Sequence, residues 1–498
     1  MANLCGCEVA CYLPSKCAIS PVMPAKPPCF DEMLDEDGAT REAYAAYYEW
    51  FCNQDIKSLR GKAREAEEFF RRTGITFAVY GDDNAEERLI PFDIVPRIVS
   101  AREWAKVTRG IEQRVRAINA FLQDIYHRQE IVRAGRLPIS LLQNNPAFLS
   151  QMIGFLPPGG VYTHIVGVDL VRTGPEEFFV LEDNARTPSG VSYMLENRET
   201  MMNMFPELFS TIRVRNVGDY PKNLRQSLNR VAPPACKGDP VVAVLTPGIH
   251  NSAYYEHAFL ADQMGADLVE GHDIRIVDGR VAMRTTRGYT PIDVLYRRID
   301  DDYLDPLIFK PESRLGIPGV FDLYRAGQIT IANAPGTGIA DDKAIYSYMP
   351  DIIEFYTGER PILHNVPTWR CSEPDALAYV LDNLAELVVK EVHGSGGYGM
   401  LVGPAANRRE LADFAAKLKA KPANYIAQPT LALSTIPIFT NSGLAPRHVD
   451  LRPFVLVSPN SIEITPGGLT RVALKQGSLV VNSSQGGGTK DSWVLEDD

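Results

Sequence analysis

Long hydrophobic runs are missing from this sequence. No stretch of its 498 residues approaches the length needed to cross a membrane. The first segment, MANLCGCEVACYLPSKC, also lacks the basic start and the apolar core of a secretory signal. These two absences predict a cytoplasmic protein that does not act at a membrane.

Positive charge is scarce as well. The chain has 51 lysines and arginines against 62 aspartates and glutamates, which gives a formal charge of −11. Proteins that coat nucleic acids need a positive surface to meet the phosphate backbone, so this balance argues against such a role. We therefore expect no nucleic-acid partner.

Cysteine is infrequent and unevenly placed. Of the eight cysteines, five lie in the first 29 residues. None of these five forms a CxxC pair and no histidine lies nearby, so the segment lacks the usual spacing of a zinc site. An irregular leader over residues 1–29 is the favoured interpretation, and a soft-metal or thiol site is the alternative. The five cysteines are Cys5, Cys7, Cys11, Cys17 and Cys29.

Hydrophobic residues are plentiful, at 45% of the chain, and can fill the cores of two or three structural units. KSLRGKAREAEEFFRR, residues 57–72, predicts a charged helix. Ser100 and Glu103 form a capping box before a second helical region, which we expect Gly110 to divide. Apolar residues recur in this region every three or four positions, which indicates scaffold without chemistry.

APPACKGDP, residues 232–240, is typical of a linker, and a βαβ unit follows it. The apolar run VVAVLT precedes a predicted helix at 252–264 and a second apolar segment, ADLVEG. Two further strands are predicted at 293–299 and 328–334, so we expect a small doubly wound domain with a parallel sheet. The predicted divisions of the chain are 1–29, 30–235, 240–335 and 341–498.

HGSGGYG, residues 393–399, contains a GxGxxG pattern between two predicted strands. In a dinucleotide-binding fold this pattern opens a helix, whereas here the apolar segment MLVG follows, which disfavours a dehydrogenase. A protein kinase places its phosphate-binding lysine after the loop, whereas Lys390 precedes this one. A simple hairpin turn is the alternative, but it needs fewer glycines. The pattern favours a loop whose backbone amides cover phosphate groups.

The lysine, the glycine hairpin and the later strand YIAQ together resemble the ATP-grasp superfamily. The resemblance implies that Lys390 binds phosphate, that Gln428 lies near the adenine, and that Lys343 is the earlier nucleotide lysine. For Lys343 the alternative is a solvent-exposed residue at the start of a helix. The loop residues that would bind the nucleotide are Gly394, Ser395, Gly396, Gly397 and Gly399.

VLEDNARTPSG, residues 180–190, gathers polar side chains at the end of an apolar run. In ATP-grasp enzymes the metal ligands are an acid followed by Glu-x-Asn, which Glu182 and Asn184 match. Alternation places these two on one face of a strand, and a hairpin would bring Asp169 of GVDLVRTG beside them. Oxygen ligands of this kind suit Mg²⁺. Arg186 continues the same face and would meet a transferring phosphoryl group. A surface turn with chance acids is the alternative.

This Glu-x-Asn lies before the lysine and the glycine loop, which is the order of a circularly permuted ATP-grasp protein such as glutathionylspermidine synthetase. The closer resemblance is to the circularly permuted ATP-grasp type 2 family. Its phrases include VYGDDNAEERLIPFDIVPRIVSAREW, VLTPGIHNSAYYEHAFLA, IANAPGTGIADDKA and VVNSSQGGGTKDSWVL. The resemblance implies an α/β, circularly permuted ATP-grasp fold with a small doubly wound pre-ATP-grasp-like domain. It also implies ATP and Mg²⁺ as cofactors.

Polar residues also stand at strand ends of the middle block, where open α/β sheets bind ligands. Asn251, Ser252 and Tyr254 are candidates for contact with substrate, although Ser252 would serve equally as a helix N-cap. Arg297 and Arg298 suit a carboxylate or a phosphate, with a structural salt bridge as the alternative.

Two later segments leave their roles open. RHVDLRPF supplies Asp450 between Arg447 and Arg452, so Asp450 is either a metal or ribose ligand or a partner in a salt bridge. SSQGGGTKD, residues 483–491, either closes over phosphate with Lys490 or forms a frayed tail.

Together with the resemblance, these residues predict an ATP-dependent carboxylate–amine ligase. ATP would phosphorylate a small-molecule or peptide carboxylate, and an amine would then displace the phosphate to give an amide. In this interpretation Arg186 and Lys390 support catalysis by positioning and charge. The alternative is a nucleotide-binding accessory subunit of a peptide-modification complex with weakened catalysis. The sequence indicates neither the two substrates nor the oligomeric state.

Overall fold

The computed structural model describes residues 29–78, 87–394, 399–441, 443–479, 481 and 486–497. Its α-helices are α1 Ala45–Cys52, α2 Ile56–Thr73, α3 Ala101–Ile125, α4 Glu130–Arg133, α5 Ser140–Gln143, α6 Val191–Met204, α7 Pro206–Thr211, α8 Tyr220–Asn229, α9 Tyr254–Met264, α10 Asp301–Leu304, α11 Val320–Arg325, α12 Lys343–Tyr346, α13 Met349–Thr357, α14 Pro374–Asp382 and α15 Arg408–Ala420. None of these helices is both long and apolar enough to span a membrane.

The strands follow the same numbering along the chain. They are β1 Thr76–Ala78, β2 Glu87–Leu89, β3 Phe92–Val99, β4 Ile165–Gly174, β5 Glu177–Asn184, β6 Val242–Leu245, β7 Asp267–Val269, β8 Ile274–Val277, β9 Arg280–Thr285, β10 Gly288–Pro291, β11 Val294–Arg297, β12 Thr330–Ala332, β13 His364–Asn365, β14 Trp369–Arg370, β15 Leu387–Glu391, β16 Leu401–Val402, β17 Tyr425–Pro429, β18 Thr435–Thr440, β19 Gly443–Arg452, β20 Phe454–Ser458, β21 Ser461–Ile464, β22 Leu469–Val472 and β23 Gly488–Val494.

Helix α3 packs on one face of the largest sheet. Its N-terminus has the predicted capping box, in which the Glu103 amide donates to the Ser100 hydroxyl at 3.3 Å and the Ser100 amide donates to the Glu103 carboxylate at 3.1 Å. The helix continues through Gly110, so the predicted break there is wrong. A β-carbon at Gly110 would lie 2.4 Å from Cγ of Leu363. The glycine therefore permits close packing of a neighbouring segment.

The largest sheet described has ten strands and combines both halves of the sequence. Its main path is β13-β5-β4-β19-β22-β23-β3, with β18 beside β19, β20 beside β4 and β21 beside β20. Strands β4 and β5 come from residues 165–184, whereas β19 and β22 come from residues 443–472. This interleaving places the Glu-x-Asn segment in the same sheet as residues from the end of the chain.

The middle block contains the predicted parallel sheet, in the order β12-β11-β6-β7. Both of its faces are buried, since Ala243 and Leu245 of β6 belong to one core and Val242 and Val244 belong to another. The helix after β6 begins at Tyr254, slightly later than predicted. An antiparallel sheet, β10-β9-β8, precedes β11 and was not predicted. The division of the chain into domains stays a prediction.

The lysine and the glycine loop belong to a four-stranded antiparallel sheet, β14-β17-β15-β16. The loop joins two paired strands, β15 and β16, as predicted. Leu387 and Val389 of β15 belong to the core formed with helix α15, so alternation turns Lys390 to the opposite face. Val388 pairs with Gln428 across β17. Lys390 and Gln428 therefore share the face that points away from α15.

Candidate functional site

The two strands that carry the predicted acids form the predicted hairpin. Strands β4 and β5 pair antiparallel, with Asp169 opposite Glu182 and Gly167 opposite Asn184. The side-chain amide of Asn184 lies 3.4 Å from Oδ1 of Asp169. Glu182 is 29% exposed, whereas Asp169 is fully buried. One strand pair thus presents three oxygen-bearing side chains at neighbouring positions.

Asp169 is held by two arginines from the C-terminal part of the chain. Arg452 contacts both carboxylate oxygens of Asp169, with Nη2 2.7 Å from Oδ2. Arg471 places its own Nη2 2.7 Å from the same oxygen and also binds Asp450. Burial alone would raise the pKa of Asp169, but the two arginines hold that pKa below its ordinary value. The carboxylate is therefore charged, and its charge is already balanced.

Asp183 faces the other way, as alternation predicts. Its two oxygens accept hydrogen bonds from Nε and Nη2 of Arg114 at 2.7 and 2.6 Å. Arg114 lies on α3 and also donates to the side chain of Asn365 at 2.7 Å. Both members of the ion pair are almost completely buried. The pair fastens β5 to α3 and keeps Asp183 away from the face of Glu182.

Two lysines approach Glu182, the exposed acid of the hairpin. Lys343 opens helix α12 and places Nζ 3.8 Å from Oε2 of Glu182. The same Nζ donates to the carbonyl of Gly394 at 2.6 Å. Its side chain is only 12% exposed, so the alternative of a solvated lysine is wrong. Burial lowers the pKa of Lys390 to about 8, with Glu182 opposing the shift and Lys343 adding to it.

Strand β17 and the end of the glycine loop have specific packing requirements. Gln428 is buried, and its Nε2 donates to Oγ1 of Thr368 at 3.1 Å. Gly399 has a φ of 68°, and a β-carbon there would lie 2.5 Å from Cδ of Glu391, so this position requires glycine. Three predicted loop residues lie outside the described part of the chain and stay predictions: Ser395, Gly396 and Gly397.

Arg186 is held between two carboxylates. Its Nη1 lies 3.3 Å from Oδ1 of Asp300, and its Nε lies 3.9 Å from Oδ2 of Asp341. The amide of Ala185 donates to Asp341 at 2.5 Å. Burial raises the pKa of Asp341 to about 7, although Arg186 and this amide act against the shift. Because Asp300 follows β11, Arg186 joins the end of β5 to the middle sheet.

The two arginines predicted to bind substrate form buried ion pairs within the protein. Arg297 is fully buried, lies 2.6 Å from Asp301 and donates to three backbone carbonyls. Arg298 is equally enclosed and lies 3.0 Å from Glu256. The salt-bridge alternative describes both arginines, and their predicted contact with substrate gains no support from the geometry.

Asn251, Ser252 and Tyr254 lie where β6 leads into α9, at the carboxyl edge of the parallel sheet. The N-cap of α9 is Ala253, so Ser252 is not the cap. The side chain of Asn251 accepts a hydrogen bond from the Ala253 amide at 2.9 Å and so shapes the turn. Contact of these residues with substrate stays a prediction.

Lys490 and Asp450 have structural positions. Lys490 lies in β23 with no exposed surface, and its Nζ is 2.7 Å from Oδ2 of Asp93. It therefore neither closes over phosphate nor belongs to a frayed tail. Asp450 is buried in β19 and pairs with Arg471 of the neighbouring strand. The salt-bridge alternative describes Asp450, and the ligand alternative does not.

Within the described ranges, no three His, Cys, Asp or Glu side chains are arranged to hold a metal ion by themselves. The predicted set combines two acids with an amide. Glu182 and Asn184 are partly exposed and carry the hard oxygen ligands that Mg²⁺ prefers, so they fit this ion. Both oxygens of Asp169 are engaged by arginines, so its place in the metal-binding set stays a prediction. Of the leader cysteines, Cys29 is buried, and Cys5, Cys7, Cys11 and Cys17 lie outside the described residues.

The chain matches the family model described as circularly permuted ATP-grasp type 2 over residues 96–473. It belongs to this family. The matched range includes the hairpin of Asp169 and Glu182, both lysines and strand β17. The order in which these features occur along the chain is therefore the permuted order of the family.

Relatives of comparable length have names that assign no activity. A protein of Synechocystis sp., named as uncharacterized, is 50% identical over 94% of this chain and 97% of its own length. A protein of Mycobacterium tuberculosis, also named as uncharacterized, is 49% identical over 94% of this chain and 84% of its own length.

A Frankia alni protein named "Putative glutamate--cysteine ligase 2-3" is 44% identical, and this chain spans 54% of its length.

One solved structure that resembles this chain is a glutathione synthetase-like effector from Globodera pallida, with a TM-score of 0.59 over 89% of this chain and 98% of that one. The sequence identity is 11%, so the likeness shows the fold alone. The predicted circularly permuted ATP-grasp fold is confirmed by the family match and is consistent with this likeness.

Three residues that contact the candidate site were not predicted from the sequence. Asp341 accepts from the Ala185 amide, Arg471 binds Asp169, and Glu256 binds the loop that follows β5. Each acts on a residue at least 64 positions away in the sequence. No local pattern in the sequence points to such contacts. The salt bridge considered for Asp450 was a partial indication of Arg471, because Arg471 is its partner on the neighbouring strand.

Proposed function

We propose that this protein is an ATP-dependent ligase that joins a carboxylate to an amine through an acyl phosphate. The products would be an amide, ADP and phosphate. The carboxylate belongs to a small molecule or a peptide. Membership of the ATP-grasp family supports the use of ATP. The proposal goes further, because it states that the acyl phosphate forms first and the amide second.

The observation that carries the proposal is that charged side chains from three separate segments of the chain lie close to one another around Glu182. The acid lies opposite Asp169 in the hairpin, and Nζ of Lys343 approaches it at 3.8 Å. Lys390 is close enough for its pKa to respond to both Glu182 and Lys343. A partly exposed acid that faces two lysines, with no close pair among the described residues, suits a polyanion with a metal counter-ion.

Three residues are proposed to hold Mg²⁺: Glu182, Asn184 and one oxygen of Asp169. The ion would neutralise phosphate charge and act there as a Lewis acid. Lys343 and Lys390 are proposed to bind the phosphates directly, and Gln428 to contact the adenine. Gly394 and Gly399, with the loop between them, are proposed to cover the phosphates with backbone amides.

The proposed reaction has two steps. An oxygen of the substrate carboxylate attacks the terminal phosphorus of ATP, and the bond from that phosphorus to the ADP oxygen breaks. The nitrogen of the amine then attacks the acyl carbon, and phosphate leaves as the amine loses its proton. Arg186 and Arg452 are the guanidinium groups proposed to orient the transferring phosphoryl group and to balance its charge. Catalysis of this kind depends on positioning and electrostatics.

The names of relatives support the ligase class only. The Frankia alni protein carries a ligase name, but this chain spans 54% of its length, so the name describes a protein of nearly twice the size. It assigns neither glutamate nor cysteine to the present site. The acid and the amine therefore have to be found by experiment.

The test is a screen of amino acids, small peptides and polyamines for acid-dependent release of ADP and phosphate. Hydroxylamine in place of the amine should trap the acyl phosphate as a hydroxamate once the right acid is supplied. Release of AMP and pyrophosphate as the direct products would contradict the proposed mechanism, since it would place the attack on the phosphorus nearest the ribose.

One observation favours a second function, that of a nucleotide-binding accessory subunit with weakened catalysis. Both oxygens of Asp169 are engaged by arginines, which limits the metal site. This alternative predicts tight ADP binding that does not depend on substrate, with no turnover for any acid and amine in the screen.

A further inference from the structure

A buried ion pair lies between the middle sheet and the site hairpin. Glu256 stands in the first turns of α9, and Arg298 follows β11 directly. Oε1 of Glu256 accepts from Nη2 of Arg298 at 3.0 Å, and each side chain is 1% exposed. A buried ion pair loses much of its attraction to the desolvation of its charges, so its value to the fold alone is small.

Both members of this pair bind residues 188–192, called the 188–192 loop, which follows β5 and includes the first two residues of α6. Oε2 of Glu256 accepts from the Gly190 amide at 2.6 Å, from the Ser192 amide at 3.2 Å and from the Ser192 hydroxyl at 3.1 Å. Arg298 donates to the carbonyl of Pro188 at 2.7 Å and to the hydroxyl of Ser189 at 2.5 Å. Five hydrogen bonds from two side chains therefore fix one short loop.

The loop in turn holds a residue of the site. The carbonyl of Ser189 accepts from Nη1 of Arg452 at 3.2 Å. The same guanidinium contacts both oxygens of Asp169 and lies 3.8 Å from Oε1 of Glu182. Contacts therefore run from α9 through the ion pair and the loop to Arg452, and from Arg452 to the two acids of the hairpin.

We propose that Glu256 and Arg298 are positioning residues for the metal site, and that they act through the 188–192 loop on Arg452 and Asp169. This inference rests on the proposed function, because it assumes that Asp169, Glu182 and Asn184 hold Mg²⁺ beside the nucleotide. Under this proposal, Arg298 supports the reaction by positioning the metal ligands and does not itself contact the substrate. Groups that orient metal ligands in this way typically change metal affinity by about 10–100-fold when they are removed.

The test measures binding of ADP by calorimetry in the absence and in the presence of Mg²⁺. Affinity without Mg²⁺ reports the lysines and strand β17, and the gain on adding Mg²⁺ reports the metal site. In Glu256→Gln and Arg298→Lys we expect affinity without Mg²⁺ to stay within about twofold of the wild type, and the gain from Mg²⁺ to fall about tenfold. The milder Ser189→Ala removes one hydroxyl and should lower the gain by about two- to threefold.

Asp491→Asn is the matched control, because Asp491 forms a buried ion pair with Arg198 at 2.8 Å. Among the described residues, this pair forms no hydrogen bond with Asp169, Glu182 or Arg452. This variant should lose stability but keep the full gain from Mg²⁺. The inference is overturned if the wild type shows no gain from Mg²⁺, if folded Glu256→Gln keeps the whole gain, or if the control loses it equally. Should the Glu256 and Arg298 variants fail to fold, an unchanged gain in Ser189→Ala overturns it. None of these measurements needs turnover, so a failure of the ligase proposal in the substrate screen is seen separately.

Discussion

Neighbouring residues of one strand, Glu182 and Asp183, carry the same charge in opposite environments. Asp183 is buried against Arg114, with two hydrogen bonds of 2.6 and 2.7 Å. Glu182 is 29% exposed, and its nearest cations, Lys343 and Arg452, each lie 3.8 Å away. The first acid has a complete partner within the fold. The second has cations near it but, within the described part of the chain, no close pair.

The same contrast separates two lysines. Lys490 is enclosed and lies 2.7 Å from Asp93, so its charge is used within the fold. Lys390 is buried enough for its pKa to fall to about 8, although Glu182 lies near enough to oppose that shift. Closed pairs join elements of the sheet, whereas charges left without close partners are available to a charged ligand.

The largest expected effect comes from exchanging the two neighbouring acids for amides. Glu182→Gln should lower turnover by about a hundredfold or more, because it removes a charge from the proposed metal-binding set while it keeps the shape of the side chain. Asp183→Asn should instead lower the free energy of unfolding by about 3–5 kcal/mol, because it leaves Arg114 buried without its partner. Steady-state kinetics and denaturant unfolding of both variants measure the difference.

Normal activity of Glu182→Gln with Mg²⁺ would contradict the assignment of Glu182 as a metal ligand. The two faces of β5 would then differ only in how much each acid contributes to stability. Loss of stability in Glu182→Gln as large as in Asp183→Asn would show that both acids serve the fold.

The two lysines give the second prediction. A hydrogen bond to a charged group contributes about 1.5–3 kcal/mol, so Lys390→Met should weaken ATP binding about ten- to a hundredfold. Lys490→Met should leave ATP affinity unchanged and lower the free energy of unfolding by about 3–5 kcal/mol, since Asp93 would be left buried and unpaired. Calorimetry with ATP and thermal unfolding separate the two outcomes. Equal ATP affinity in Lys390→Met and the wild type would remove Lys390 from the site.

Local sequence patterns were sufficient for much of this fold. The alternation of Glu182, Asp183 and Asn184 predicted which side chains share a face, because strand geometry depends only on adjacent residues. The capping box of Ser100 and Glu103 was confirmed for the same reason, since both partners lie within one helical turn. The apolar segments on either side of HGSGGYG likewise predicted that the glycine loop joins two strands.

Contacts between distant segments could not be predicted in this way. The arginines on Asp169 come from β19 and β22, and their approach depends on how the two halves of the sequence interleave in the main sheet. The break expected at Gly110 was wrong because glycine also serves close packing, here against Leu363. The ion pair of Arg298 with Glu256, 42 residues away in the sequence, likewise depends on elements that meet only after folding.

The pH dependence of nucleotide binding sharpens the comparison of the lysines. Burial lowers the pKa of Lys390 to about 8, so its ammonium form predominates below that pH and is lost above it. A phosphate group binds the charged form, so ATP affinity should fall as pH rises from about 7 to 9, by up to about tenfold. Binding near pH 8 should also take up a proton, which calorimetry in buffers of different ionisation enthalpy detects. Lys390→Met should show neither effect, and an equally steep profile in that variant would assign the titration to another group.

The smallest expected effect concerns two buried glutamines, one within the proposed site and one outside it. Gln428 donates to Thr368 on the face that also carries Lys390, whereas Gln113 of α3 donates to Glu359 at 2.9 Å outside the site. A neutral hydrogen bond contributes about 0.5–1.5 kcal/mol, so Gln428→Ala should weaken ATP binding about threefold. Inorganic tripolyphosphate lacks the base, and its affinity should not change in Gln428→Ala. The matched Gln113→Ala should alter thermal stability and neither affinity. A loss of tripolyphosphate binding as large as that of ATP would mean that Gln428 supports the phosphate site and not the adenine, because only a contact with the base distinguishes the two ligands.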